Sequence, residues 1–140
     1  MLTIDTSTAF GARVRDRLTS EIVVWLTTVG PDGAPQPVPV WFLWDGNEIL
    51  IYSQPNRPKL RNIARNPRVA LNFDSDGRGG NIVVLTGRAR IVEDAPPATA
   101  VPAYIAKYRD HIRQLGTTDE GFAREYSVAI RVTPEKLRGH

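Results

Sequence analysis

Apolar and polar positions follow two periods along this chain. Phe10, Val14 and Leu18 recur every fourth residue, with Arg13, Arg15 and Arg17 on the other face. That spacing predicts an amphipathic helix over 7–20, capped by Thr6 or Ser7. Residues 22–29 (IVVWLTTV) are short and β-branched, which predicts a strand. Pro31-Asp32-Gly33 reads as a tight turn. The following strand, Gln36 to Trp44, has prolines at 35, 37 and 39. Proline cannot donate to a ladder, so this strand should start at an edge or a bulge. Asp45-Gly46-Asn47 is a second hairpin turn, and residues 48–53 (EILIYS) form a third strand. Three strands on two short turns predict an antiparallel meander.

Pro58 suits the first position of a short helix over 58–65, whose apolar face is Leu60, Ile63 and Ala64. Asn66-Pro67 stops it. Strands are predicted over 68–74 and 81–93, joined by the glycine-rich SDGRGG, with Gly87 marking a bulge. Pro96-Pro97 opens a helix over about 98–113 with Val101, Ile105 and Tyr108 on one face. A short helix follows over 117–124, and the alternating YSVAIRV (126–132) is the last strand. No repeat or linker divides residues 1–140, so one domain with a helical N-terminal arm is expected. Six strands with short connections predict a mainly β fold, a small antiparallel barrel with peripheral helices.

Composition narrows the chemistry. The 140 residues hold no cysteine and two histidines, His111 and His140. Disulfides, thiolate metal sites and a cysteine nucleophile are excluded, and a histidine metal site or triad has almost nothing to draw on. No metal site and no catalytic side chain is assigned, so any chemistry is expected from a bound cofactor. No apolar run approaches the ~20 residues of a membrane span, and the N-terminus lacks a signal-peptide pattern. A cytoplasmic protein without membrane partners is expected.

The net charge is only +3, but arginine supplies most of the basic residues. Arg57, Lys59, Arg61, Arg65 and Arg68 fall in twelve residues without an acid. Three segments are candidates. In Ser53 to Asn62 a strand ends in a hydroxyl, a loop brings two cations and a helix begins, which suits an anion. A solvated basic face is the competing reading. In Pro37 to Phe42 the prolines free backbone groups beside aromatic rings, so a flat heteroaromatic ligand fits along the edge. Alternatively Trp41 and Phe42 are core residues and the prolines guard an edge strand. The loop Asp76 to Gly80 matches no phosphate-binding fingerprint and reads as a hairpin connection. Nucleic acid is not expected, because no aromatics interleave with the cations of 57–68.

Taken in order, TTVGPDGAPQPVPVWFLWDGNEILIYSQPNRPKLRNIARNPRVALNFD resembles the flavin-binding split barrels related to pyridoxamine 5'-phosphate oxidase. The resemblance is strongest to the branch of F420-dependent enzymes. Its most specific element is a strand ending at Ser53, then Arg57-x-Lys59-x-Arg61-Asn62 on a helix, then Asn66-Pro67-Arg68. The resemblance implies a six-stranded split β-barrel of the FMN-binding type. It also implies a homodimer with cofactor sites between subunits, and hydride transfer to a small organic substrate. Arg57, Pro58 and Lys59 would hold the cofactor phosphate with help from Ser53. The backbone of Pro39, Val40 and Trp41 would run beside the tricyclic ring, and Tyr52 would line the pocket. Arg61 and Asn62 would edge the phosphate or the tail beyond it. The segment VTPEKLRGH does not match the arginine-bearing segment of true pyridoxamine phosphate oxidases, so pyridoxamine phosphate oxidation is not expected. F420 continues from its phosphate into an oligoglutamate tail, which suits the extra cations Arg61 and Arg65. FMN, or cofactor binding without catalysis, is the alternative.

Overall fold

A computed structural model describes residues 2–140. Helix α1, Ala9–Ser20, is capped by the Thr8 hydroxyl, which accepts from the Gly11 N–H, one residue later than the sequence suggests. The strands are β1 Val23–Val29, β2 Pro35–Trp41, β3 Leu43–Trp44, β4 Ile49–Ser53, β5 Arg68–Asn72, β6 Val83–Val92 and β7 Val128–Gly139. They form one curled antiparallel sheet in the order β2-β1-β5-β6-β7-β4-β3. The sheet has seven strands rather than six, because the Gln36 to Trp44 segment divides at Phe42.

The same break undoes the predicted meander. β2 pairs with β1 alone, while β4 pairs with β7 and with the short β3. The prolines explain this. Pro35, Pro37 and Pro39 sit opposite Val29, Thr27 and Trp25. A proline fits only the positions whose N–H would point away from the partner strand, so the outer edge of β2 lacks donors along most of its length. No further strand can zip onto it. The polar groups freed at the break find side chains. The Phe42 N–H donates to the Tyr108 hydroxyl (2.8 Å), and its carbonyl accepts from Lys107 Nζ (2.8 Å).

Helix α2 spans Pro58–Arg65, as the sequence predicts. The helix predicted over 98–113 is a 3₁₀ turn, Ala98–Ala100, followed by α3, Pro102–Gln114. Proline at the first position of α3 cannot continue the earlier turn. Helix α4 is Asp119–Glu125. The last strand runs seven residues past the predicted end, because β6 offers it a partner throughout. The bulge expected at Gly87 is present as a register shift between Thr86 and Gly87. A Cβ there would lie 2.1 Å from the Thr133 carbonyl oxygen, so only glycine fits.

Two cores result. One face of the sheet closes on α1 and α2 through Val14, Leu18, Leu26, Ile51, Ile63 and Leu71. The second core lies where α3 and α4 cover β4 and is rich in aromatics, with Tyr52, Tyr104, Tyr108 and Phe122 all buried. No helix among the described residues is long and apolar enough to cross a membrane.

Candidate functional site

Strand β4 runs along the seam between the two cores, and every one of its residues is buried. Where it ends, at Ser53, a cleft of about 330 Å³ opens. The cleft joins four segments distant in sequence: the β2 edge, the loop from Ser53 into α2, helix α3, and helix α4 with Tyr126.

The polar wall comes from the loop and the start of α2. Gln54-Pro55-Asn56 turns the chain sharply, with Asn56 in the left-handed region (φ 64°), and Arg57 takes the N-cap position. Pro58 brings no N–H, the N–H of Leu60 donates to the Arg57 carbonyl (3.0 Å), and no acid lies in the first turn. An anion here meets the positive end of the helix and two cations at once. The Arg57 guanidinium donates to Gln54 Oε1, and Gln54 Nε2 donates to Glu125 (2.6 Å). This relay ties the loop to α4 and leaves Arg57 without a direct carboxylate partner. Lys59 is half-buried, and burial together with the Arg57 charge holds its ammonium pKa below the usual value. A cation destabilised in this way gains from an anion. The buried Ser53 hydroxyl donates to the Gln54 carbonyl (2.8 Å).

The apolar wall is aromatic. Trp41 stacks on Tyr108 at 4.7 Å with the planes 5° apart, and faces Phe122 at 5.5 Å. Phe122 in turn stacks on Tyr126 at 4.5 Å. Tyr52 is anchored by donating its hydroxyl to the Pro96 carbonyl (2.8 Å), and burial raises its pKa. Val23 and Leu115, the large apolar residues left exposed among the described residues, both line the cleft.

Among the residues singled out from sequence, the structure gathers Pro39, Val40, Trp41, Tyr52, Ser53, Arg57 and Lys59 around this cleft. In the Pro37 to Phe42 segment the core and edge-strand reading describes part of what the structure shows. Phe42 is core and β2 is an edge strand, yet Pro39 and Trp41 line the cleft. Pro58, Arg61 and Asn62 do not line it. Pro58 starts the helix, and Arg61 is exposed, reaching the Asn56 carbonyl at 3.4 Å. Asn62 faces inward. It is buried and donates to Thr28 (3.0 Å) and Gln36 (2.8 Å), while its carbonyl oxygen accepts from Arg65 (2.8 Å). Its place fastens α2 to the β1–β2 hairpin. Sequence reasoning missed Gln54, Tyr104, Phe122 and Tyr126. The available signal was Tyr104 and Tyr108 one helical turn apart, which reads as ordinary core spacing.

Residues 10–140 match the pyridoxamine 5'-phosphate oxidase family. The chain belongs to that family. Its members bind flavins and include oxidoreductases. A solved F420 reductase is 27% identical over 89% of this chain and 94% of its own, with a TM-score of 0.70. A conserved hypothetical protein from Mycobacterium tuberculosis is 25% identical over 91% of this chain and 81% of its own (TM-score 0.69). A putative pyridoxamine 5'-phosphate oxidase from Listeria innocua, 24% identical over 91% and 94%, shares the fold with a TM-score of 0.68. The split-barrel fold of this family member thus brings a cationic helix start and an aromatic slot to one cleft.

Proposed function

We propose that this protein is an F420-dependent oxidoreductase that acts on a small organic substrate as a homodimer. One observation carries the reading: Ser53 at the end of β4 and Arg57 and Lys59 at the start of α2 line the same cleft as Trp41 and Tyr52. A phosphate attached to a flat tricycle needs both walls at once. The donor set fits the group. Arg57 and Lys59 supply charge and N–H donors to a phosphate, and Ser53 would add its hydroxyl by giving up the bond to the Gln54 carbonyl. The Pro39 to Trp41 edge offers backbone carbonyls, with the first free donor at Trp41, to the rim of a heteroaromatic ring. Bound F420 would supply hydride transfer, and the protein's share is orientation and exclusion of water. Cofactor binding without turnover keeps the same donors.

The likeness to an F420 reductase supports the deazaflavin, as do the cations of α2 beyond the phosphate position. One observation favours FMN instead: Arg65 is held by Asn62, leaving Arg61 as the α2 cation least committed to meet a carboxylate tail. The homodimer is supported by the exposed cleft residues Val23 and Leu115, which a second subunit or the ligand would cover. Side-by-side titration of the purified protein with F420 and FMN, followed by absorbance, tests the reading. Tighter binding of F420 supports it, and binding of FMN with none of F420 moves the function to a flavin oxidoreductase. Light scattering tests the dimer, and a monomer at micromolar concentration removes the interface site.

A further inference from the structure

One residue of the cleft wall carries a buried polar atom that the fold leaves idle. Tyr104 is wholly buried, lines the cleft, and its hydroxyl has no hydrogen-bond partner. The phenols packed against it are committed. Tyr52 donates to Pro96, and Tyr108 accepts from the Phe42 N–H while donating to the Ile22 carbonyl (2.7 Å). A buried hydroxyl without a partner is a standing cost that native proteins seldom keep. Here it sits among rings, edge-on to Tyr52 at 5.0 Å, tilted against Tyr108 at 4.9 Å and facing Phe122 at 6.1 Å. Burial holds its pKa far above the usual phenol range, so it acts as a donor and not as a phenolate. Aromatic surroundings favour a flat ring as guest and penalise a charged acceptor.

We propose that Tyr104 donates a hydrogen bond to a neutral carbonyl oxygen on a planar conjugated ring bound in the cleft. The proposal deepens the F420 reading and rests on it for the ring's identity. The oxygen belongs either to the cofactor's own ring or to a conjugated ketone or quinone substrate, and the experiment separates these sources.

The full chain and its Tyr104→Phe variant are titrated with four probes: 1,4-naphthoquinone, naphthalene, F420 and FMN. Tryptophan fluorescence reports the first two and cofactor absorbance the others. One neutral hydrogen bond corresponds to an affinity loss of about three- to tenfold. That loss is expected for a carbonyl-bearing probe, with naphthalene unchanged. A loss confined to the quinone assigns the acceptor to the substrate, and a loss for F420 or FMN assigns it to the cofactor. Thermal unfolding without ligand should show the variant at least as stable as the parent, since no partner is lost. A less stable variant overturns the proposal, because the hydroxyl then has a structural partner such as a trapped water. Unchanged affinity for all three carbonyl probes overturns it, and so does an equal loss for naphthalene. A parent that binds quinone but neither cofactor refutes the cofactor reading alone. A parent that binds none of the rings refutes both.

Discussion

The two ends of strand β4 carry cations under opposite conditions. At its start, Glu48 receives Arg90 through two hydrogen bonds (2.7 and 3.1 Å), and Arg131 reaches Asp45 at 3.1 Å and Glu48 at 3.7 Å. Arg90 and Arg131 are register partners on β6 and β7, so four charges bind these two strands to the β3–β4 hairpin turn. At the other end, past Ser53, Arg57 and Lys59 make no ion pair among the described residues. A charge cluster that is neutralised internally serves the fold. One left unneutralised, on a cleft and at a helix start, is available to a ligand. The contrast also explains why net charge is uninformative here: the +3 total hides one balanced cluster and one open one.

The sharpest way to break this comparison is to remove a cation from the open end. Lys59→Ala should weaken binding of a phosphate-bearing cofactor by about 1.5–3 kcal/mol, the range for a charged hydrogen bond. Arg57→Ala should do the same. Folding stability should change by less than about 0.5 kcal/mol for Lys59→Ala, which has no hydrogen-bonded partner to lose among the described residues, and by more for Arg57→Ala, which gives up its bond to Gln54. The depressed Lys59 pKa points the same way, since the folded state already disfavours its charged form. Calorimetric titration and thermal unfolding of one preparation read both quantities. Full affinity in the variant would place the phosphate elsewhere.

The converse change belongs at the paired end. Arg90, and then Thr133, hold the Glu48 carboxyl down at about 2, from an ordinary value of 4.5. A lowered carboxylate pKa stabilises the folded state above the unfolded value and is lost as pH falls. The contribution is therefore complete above about pH 5 and disappears between pH 4.5 and 2. Arg90 is half exposed, so solvent screening reduces the expected cost of Glu48→Gln at neutral pH to about 1–2 kcal/mol. The variant should also lose part of the parent's acid sensitivity in that window. Its affinity for a phosphate ligand should stay at the parent's value, and a drop would mean that the two ends are coupled.

How much of this was legible beforehand differs by region for physical reasons. Helix α2 and the cations around its start are local, written in Pro58, in the apolar spacing of Leu60 and Ile63, and in a run without acids. Sequence reasoning therefore places Arg57 and Lys59 at a helix start and Ser53 at the end of the strand before it. Strand partners are not local. The prolines of β2 announce an edge, yet nothing in the Gln36 to Trp44 segment shows that Tyr108, 66 residues on, will take the Phe42 N–H and split the strand. The aromatic wall was illegible for the same cause. Tyr104 and Phe122 fall inside predicted helices and Tyr126 at the start of a predicted strand, and only the closure of α3 and α4 over β4 brings the three to one cleft. Asn62 shows the opposite failure. Its position in a basic helix suggests a ligand contact, but a helix turns about 100° per residue, and that rotation carries its side chain inward to Thr28.

The smallest expected effect refines the comparison within the open end itself. Arg61 and Arg65 lie one helical turn apart, so sequence alone treats them as equal partners for a carboxylate tail. The structure separates them. Arg65 donates to Asn62 Oδ1 (2.8 Å), whereas Arg61 makes one long contact to the Asn56 carbonyl (3.4 Å). An exposed ion pair contributes about 0.2–1 kcal/mol and is screened by salt. Arg61→Ala should therefore weaken long-tailed F420 by that amount at low ionic strength, and the deficit should shrink as salt is added. Arg65→Ala should change tail affinity less but loosen the Asn62 contact that seats α2, which thermal unfolding would register. Neither change should alter binding of a tail-less deazaflavin phosphate or of FMN, because neither residue reaches the cleft. Calorimetric titration of both variants with the three ligands at two salt concentrations reads the pattern. Equal losses for tailed and tail-less ligands would place Arg61 at the phosphate, and no loss for any would leave α2 beyond Lys59 as a solvated basic face.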